Sequence, residues 1–193
     1  VKKILAILVF VVVSLNAANE EILLDCANAY LITMDKVSQR KELVDKSKAI
    51  VVFPTVRKAG FIVGGLYGRG VAMIKSPSGA WSIVKSEIAN GSIGFQIGYE
   101  SNYMVLFVMN DKTLQSMLKS NLKLGADATA SIFHASASVG AIDVFDKDIY
   151  AYTSKSGAFA GVSLGGFVLN IESNTVYNSS VYGYDNLIKA VNK

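Results

Sequence analysis

Two glycine-rich apolar segments constrain the fold of this chain more than any other feature. Lys58-Ala-Gly-Phe-Ile-Val-Gly-Gly-Leu-Tyr-Gly-Arg-Gly-Val-Ala-Met-Ile74 aligns with Lys155-Ser-Gly-Ala-Phe-Ala-Gly-Val-Ser-Leu-Gly-Gly-Phe-Val-Leu-Asn-Ile171 at an offset of 97. Identities fall at Lys58/Lys155, Gly60/Gly157, Gly64/Gly161, Gly68/Gly165, Val71/Val168 and Ile74/Ile171. Glycines four apart on a strand share a face, because side chains alternate with a period of two. A face without side chains lets another backbone, an aromatic ring or a lipid chain approach closely. A true structural repeat and a shared composition both account for the alignment. With sixteen glycines, two prolines and 51% hydrophobic residues, the chain reads as packed sheet rather than linker or disorder.

The pattern along the chain gives the other elements. Lys2-Lys3, the apolar run Ile4–Val13 and the small residues around Ala17 and Ala18 describe a signal peptide over residues 1–17, leaving one domain over 18–193. Residues 19–37 carry Ile22, Cys26, Tyr30, Met34 and Val37 at helical spacing, and a second short helix spans Gln39–Lys46. Ala49–Phe53 is a β-branched run that Pro54 is expected to stop. Further strands are predicted at 60–75, 80–87, 91–99, 103–109, 128–139, 149–153 and 157–171. Asn110 caps a helix through Lys119, and Asp185–Val191 forms a terminal helix. The fold class is α+β: a single domain with a mostly antiparallel, Gly-rich curved sheet and helices at the start, middle and end.

Composition excludes much chemistry. One cysteine and one histidine rule out an intramolecular disulfide, multi-cysteine zinc sites and His-rich metal centres. No cofactor and no metal are expected. Gly161-Val-Ser-Leu-Gly165 matches a nucleophile elbow, but no histidine follows Ser163 and the continuation reads as strand, not helix. Asp143, Asp146 and Asp148 lack the glycine and distal glutamate of a calcium loop and read as a solvated turn. The chain is not expected to be an enzyme. Cys26 reads as a buried small hydrophobe.

Charge is concentrated in one block. Lys36, Arg40, Lys41, Lys46, Lys48, Arg57 and Lys58 oppose only Glu42 and Asp45, a net of +5 between residues 36 and 58. Basic and apolar groups together suit an anionic bilayer surface, at ~1 kcal/mol per cation close to it. Phe53 and Phe61 are the apolar anchors expected there. No aromatic-basic groove suggests nucleic acid.

Several ordered stretches carry a resemblance. They are Ala49-Ile-Val-Val-Phe-Pro54, Lys58-Ala-Gly-Phe61, Gly64-Gly65, Gly68-Arg-Gly-Val71 and Trp81-Ser82. They continue with Gly94-Phe-Gln-Ile-Gly98, Leu124-Gly-Ala-Asp127, Tyr152-Thr-Ser-Lys-Ser-Gly157, Ala160-Gly-Val-Ser-Leu-Gly165 and Tyr182-Gly183. The chain resembles the SYLF family, also called the Ysc84 family, with Val84 where the family often has proline. The resemblance implies a non-enzymatic lipid-binding domain, whose eukaryotic relatives are associated with phosphoinositides and actin organisation. Because of the signal peptide, a bacterial, secreted member is expected, exported to the periplasm or peripherally bound to the envelope, and the actin role is not carried over. The expected function is binding to an anionic phospholipid surface through Lys36, Arg40, Lys41, Lys46, Lys48, Phe53, Arg57, Lys58 and Phe61. The alternative is a structural or protein-interaction module of the envelope, its protein partner unknown, and a serine hydrolase is a distant third.

Overall fold

A computed structural model describes residues 21–60, 63–93, 98–134, 142, 144–154 and 166–193. The helices are α1 (Ile22–Met34), α2 (Arg40–Lys46), α3 (Asp111–Lys119) and α4 (Tyr184–Asn192). The strands are β1 (Ala49–Gly60), β2 (Val63–Lys75), β3 (Trp81–Ile93), β4 (Gly98–Val108), β5 (Leu122–Lys123), β6 (Ala130–His134), β7 (Ile149–Thr153) and β8 (Val168–Tyr177). They form one curved sheet in the order β5-β8-β3-β2-β1-β4-β7-β6, antiparallel except for the β6–β7 pair. The α+β expectation holds, with helices at both ends of the domain and in its middle. The expected signal peptide, Phe61, the 94–97 stretch and Ser163 lie outside the described residues. So does most of the second glycine-rich segment.

Pro54 does not stop the first strand. β1 lies in the middle of the sheet, paired with β2 on one side and β4 on the other. A proline there has no N–H for the ladder, and the chain answers with a bulge: register shifts between Val52 and Thr55 against β2, and between Phe53 and Val56 against β4. Val52 faces Val71 and Thr55 faces Arg69, so Phe53 and Pro54 together oppose the single residue Gly70. A Cβ on Gly70 would sit 1.9 Å from the Val52 carbonyl oxygen and 2.8 Å from Cδ1 of Phe53. Among the described residues the closest backbone approach thus falls at Gly70, which is not one of the aligned glycines Gly60, Gly64 and Gly68, although a Cβ on Gly68 would also lie 3.0 Å from the Thr55 carbonyl oxygen.

The sheet buries both faces. Ala49, Val51, Phe53, Met104, Leu106 and Val108 pack with Leu114 and Met117 of α3 on one face. Ile50, Val52, Val71, Met73, Val105 and Phe107 pack under α1, α2 and α4 on the other. Strands covered on both sides carry continuous apolar runs, which is why Ala49–Phe53 shows no polar alternation. The bulge shifts the alternation by one, so Val56 joins the face of Phe53 while Arg57 points to the helical side.

Helix ends are tied individually. Asn110 Oδ1 accepts from the Thr113 N–H at 2.8 Å, as its cap position requires. Lys75 Nζ donates to the Val44 and Asp45 carbonyls at the end of α2, at 2.7 and 3.2 Å. Gly183 starts α4 at φ +83°, where a Cβ would lie 2.4 Å from the Leu24 nitrogen. The far end of α4 is held by Trp81, whose Nε1 donates to Asn192 Oδ1 at 3.3 Å beneath Lys75, whose Nζ lies 5.1 Å from the indole centroid.

Asp148 is no solvated turn residue. Its carboxylate accepts from Asn110 Nδ2 at 2.7 Å and from the Thr129 N–H and hydroxyl, both at 2.8 Å, joining α3 to the start of β6. Burial acts to raise this carboxyl, but the bonds from Thr129 and Asn110 outweigh it and hold it below the usual carboxylate range. A depressed folded value stabilises the fold fully above the unfolded carboxyl's ~3.9 and loses that contribution as pH falls through the folded value. Asp148→Asn should cost about 1–2 kcal/mol at neutral pH. Urea denaturation should show the gap between wild type and variant closing as pH drops from 7 toward 2.

The bulge gives a second expectation. Gly70→Ala should destabilise by about 3 kcal/mol or more, because backbone must move to admit the methyl. Gly65→Ala, whose Cβ would meet only the Asn90 carbonyl oxygen at 3.6 Å, should stay within about 1 kcal/mol of wild type. Equal urea midpoints for the two variants would refute the assigned close approach.

Candidate functional site

Midway along β2 and β3, four odd-numbered residues are polar. Tyr67, Arg69, Lys85 and Glu87 share one face of the sheet, and Arg57 joins them across from Tyr67 because of the bulge. Together with Ile22 and Asp25 of α1 and Tyr177 of β8, Arg57, Tyr67, Arg69 and Lys85 line a cleft of about 320 Å³, with Glu87 bonded just outside its lining. Arg69 Nε donates to the Tyr67 hydroxyl at 2.7 Å, and that hydroxyl donates to Glu87 Oε1 at 2.9 Å. Glu87 also lies 3.3 Å from Arg69 Nε. Lys85 Nζ donates to Glu172 Oε1 at 2.9 Å. The bond from Arg69 to the Tyr67 hydroxyl, and then Glu87, favours the charged guanidinium, and Glu172 raises Lys85 in the same way.

Of the nine residues expected to bind lipid, Phe61 and the side chain of Lys58 lie outside the described residues, and several of the rest are already paired. Lys41 pairs with Asp45 at 2.6 Å and Lys46 with Glu42 at 2.7 Å, each one helical turn away on α2. Lys48 pairs with Asp111 of α3 at 3.2 Å. Lys46 also stands 4.1 Å above the Phe145 ring. Lys36 and Arg57 are exposed and Arg40 half-buried, and none of the three has a carboxylate within 4.0 Å among the described residues. Lys58 lies on β1 opposite Leu66 and Glu100. Phe53 is a correction: it is 0% exposed, packed against the strand opposite its bulge, and cannot anchor a membrane without unfolding β1. Its place predicts that Phe53→Ala lowers stability by about 3–5 kcal/mol, measurable by thermal melting, with no selective effect on surface binding.

Tyr67, Arg69, Lys85 and Glu87 were missed by reading charge along the chain. Reading it across the chain finds them: two residues apart on one strand, two apart on the next, all on one face. Cys26, buried with its thiol toward the Val52 carbonyl at 3.5 Å, is inert, since burial pushes its pKa far up. Among the described residues no group of three or more His, Cys, Asp or Glu could hold a metal ion, and no helix is long and apolar enough to cross a membrane.

Residues 89–190 match the family described as "Ysc84: Las17-binding protein actin regulator". The chain belongs to the Ysc84 family. The SYLF resemblance is therefore correct, and the Ysc84 fold is a non-catalytic interaction module. The chain is similar to the SH3 domain-containing YSC84-like protein 1 of Xenopus laevis, 29% identical over 149 residues, covering 75% of this chain and 44% of the relative. It is 31% identical over 137 residues to the SH3 domain-containing protein PJ696.02 of Schizosaccharomyces pombe, covering 66% and 31%. It is 28% identical over 134 residues to Protein YSC84 of Saccharomyces cerevisiae, covering 64% and 28%. The chain spans less than half the length of these relatives.

These relatives correct two expectations. The proteins matched come from animals and fungi, not from secreted bacterial lineages, so the bacterial branch assigned to the chain is overturned. The exported, periplasmic or envelope placement, read from the expected signal peptide, is overturned by the same relatives. So is the reason for setting the actin association of the Ysc84 family aside.

Proposed function

We propose that this chain is a non-catalytic protein-interaction module working among regulators of actin assembly. The observation that carries the reading is the neutralisation of the basic block: Lys41, Lys46 and Lys48 each face a carboxylate within 3.2 Å. Lysines already paired offer a bilayer little of the ~1 kcal/mol that a free cation would contribute. Elsewhere on the domain lies a cleft of both charge signs, lined by a half-exposed tyrosine and an arginine, residue types enriched where proteins meet. The family description, a Las17-binding actin regulator, points to the partner class. The test is cosedimentation with actin filaments and retention on immobilised Las17, both at 0.15 M salt. The chain should be captured by at least one; capture by neither overturns the reading.

An anionic phospholipid surface is the second reading, favoured by Lys36, Arg40 and Arg57, which lack carboxylate partners among the described residues. On this reading the chain pellets with anionic vesicles in preference to zwitterionic ones. The variant R40E/K41E/R57E/K58E, a change of eight charge units, should remove the preference while the circular dichroism spectrum stays native. Equal pelleting of wild type with both vesicle types eliminates the lipid reading.

A further inference from the structure

The Arg57 cleft does not end at Asp25. A second cleft, of about 580 Å³, begins at the same three residues, Asp25, Pro54 and Thr55, and continues past Ala29 to Leu31, Ile32 and Tyr103. Ile22, Asp25, Ala29 and Ile32 recur every three or four residues, so they form one stripe along α1. That stripe overhangs the β1 bulge, and the two clefts are the halves of one groove between them. From Ile22 to Ile32 the helix rises about 15 Å, room for four to five residues of extended chain at ~3.3 Å each.

The two ends differ in chemistry. At one end Arg57, Arg69 and Lys85 converge; Arg69 and Lys85 already have Glu87 and Glu172, while Arg57 has no carboxylate within 4.0 Å among the described residues. At the other end Ile32 is 57% exposed beside half-buried Tyr103. Asp25 stands where the halves join and repels a second acidic group there, so negative charge is admitted only at the arginine end.

We propose that this groove binds an extended peptide segment of a protein partner, with an acidic side chain held at Arg57 and Arg69 and an apolar side chain three or four residues away against Ile32 and Tyr103. The inference rests on the protein-interaction reading and names the chemistry of the partner. Guanidinium pairing with carboxylate sets the register, since its planar N–H groups match two oxygens. The apolar end adds burial of Ile32, a large hydrophobic side chain otherwise left in water. The bulge supplies rigidity: Pro54 and Thr55 form the groove wall, with Gly68 packed so closely that a Cβ there would lie 3.0 Å from the Thr55 carbonyl oxygen.

The experiment uses fluorescein-labelled decapeptides of Gly-Ser background carrying one Glu and one Leu, three or four residues apart, in both orders. Fluorescence anisotropy with the full chain should show binding by one order, and at least tenfold weaker binding when Glu is replaced by Gln. Arg57→Gln should weaken the Glu peptide at least fivefold and leave the Gln peptide unchanged; Ile32→Ser should act only on peptides that contain Leu. Lys41→Gln, outside the groove, should change nothing, and all variants should melt within a few degrees of wild type. Equal affinity for Glu and Gln peptides, or no effect of Arg57→Gln, overturns the proposal. Absence of peptide binding overturns it too, as does binding of phosphatidylserine vesicles in place of peptide that Arg57→Gln abolishes. Filament and Las17 capture by wild type, measured alongside, separates the two failures: capture without peptide binding leaves the module reading intact and removes only the groove.

Discussion

A proline in the middle strand of the sheet imposes the arrangement on which the rest depends. Pro54 cannot donate to either neighbouring strand, and β1 has a neighbour on both sides. The bulge resolves the conflict only because Gly70 opposite it has no side chain. One extra residue also changes which way everything after it points. Val56 enters the core with Phe53, and Arg57 turns toward α1 instead of being buried beneath α3. Without the bulge the cleft would lack Arg57.

The second determinant is where the acids fall. Glu42 and Asp45 sit one helical turn from Lys46 and Lys41, and Asp111 comes across from α3 to Lys48. Such exposed pairs contribute little to stability. Their effect is on the field outside the protein, which they reduce at the point where the linear sequence is most basic. The charges of the cleft come from three strands, β1, β2 and β3, and from Asp25 of α1, so no count along the chain reveals them.

The sequence exposes whatever depends on local period. The helices at 22–34, 40–46, 111–119 and 184–192 fall close to the expected spans, because helical spacing and the Asn110 cap are local signals. The close approach at Gly68 was legible as glycine on one face of a strand, whereas the tighter one at Gly70 was not. Three further things were not. Pro54 reads locally as a stop, and only the two partner strands make it a bulge. Phe53 beside a basic block looks like an anchor until the covering α3 face is known. Asp148 looks like one of three loop acids, while Asn110 and Thr129, which bind it, lie 38 and 19 residues away.

The hydrogen bond between Trp81 and Asn192 has an optical consequence. The chain has one tryptophan, and it sits at the start of β3 under the last turn of α4, close to the Lys75 ammonium. Its emission therefore comes from one place, where β3 meets α4. If α4 lifts from the sheet while the strands stay paired, the indole loses its acceptor and meets water, shifting its spectrum before the backbone signal changes. The chain carries its own probe for separating loosening of its terminal helix from loss of its sheet.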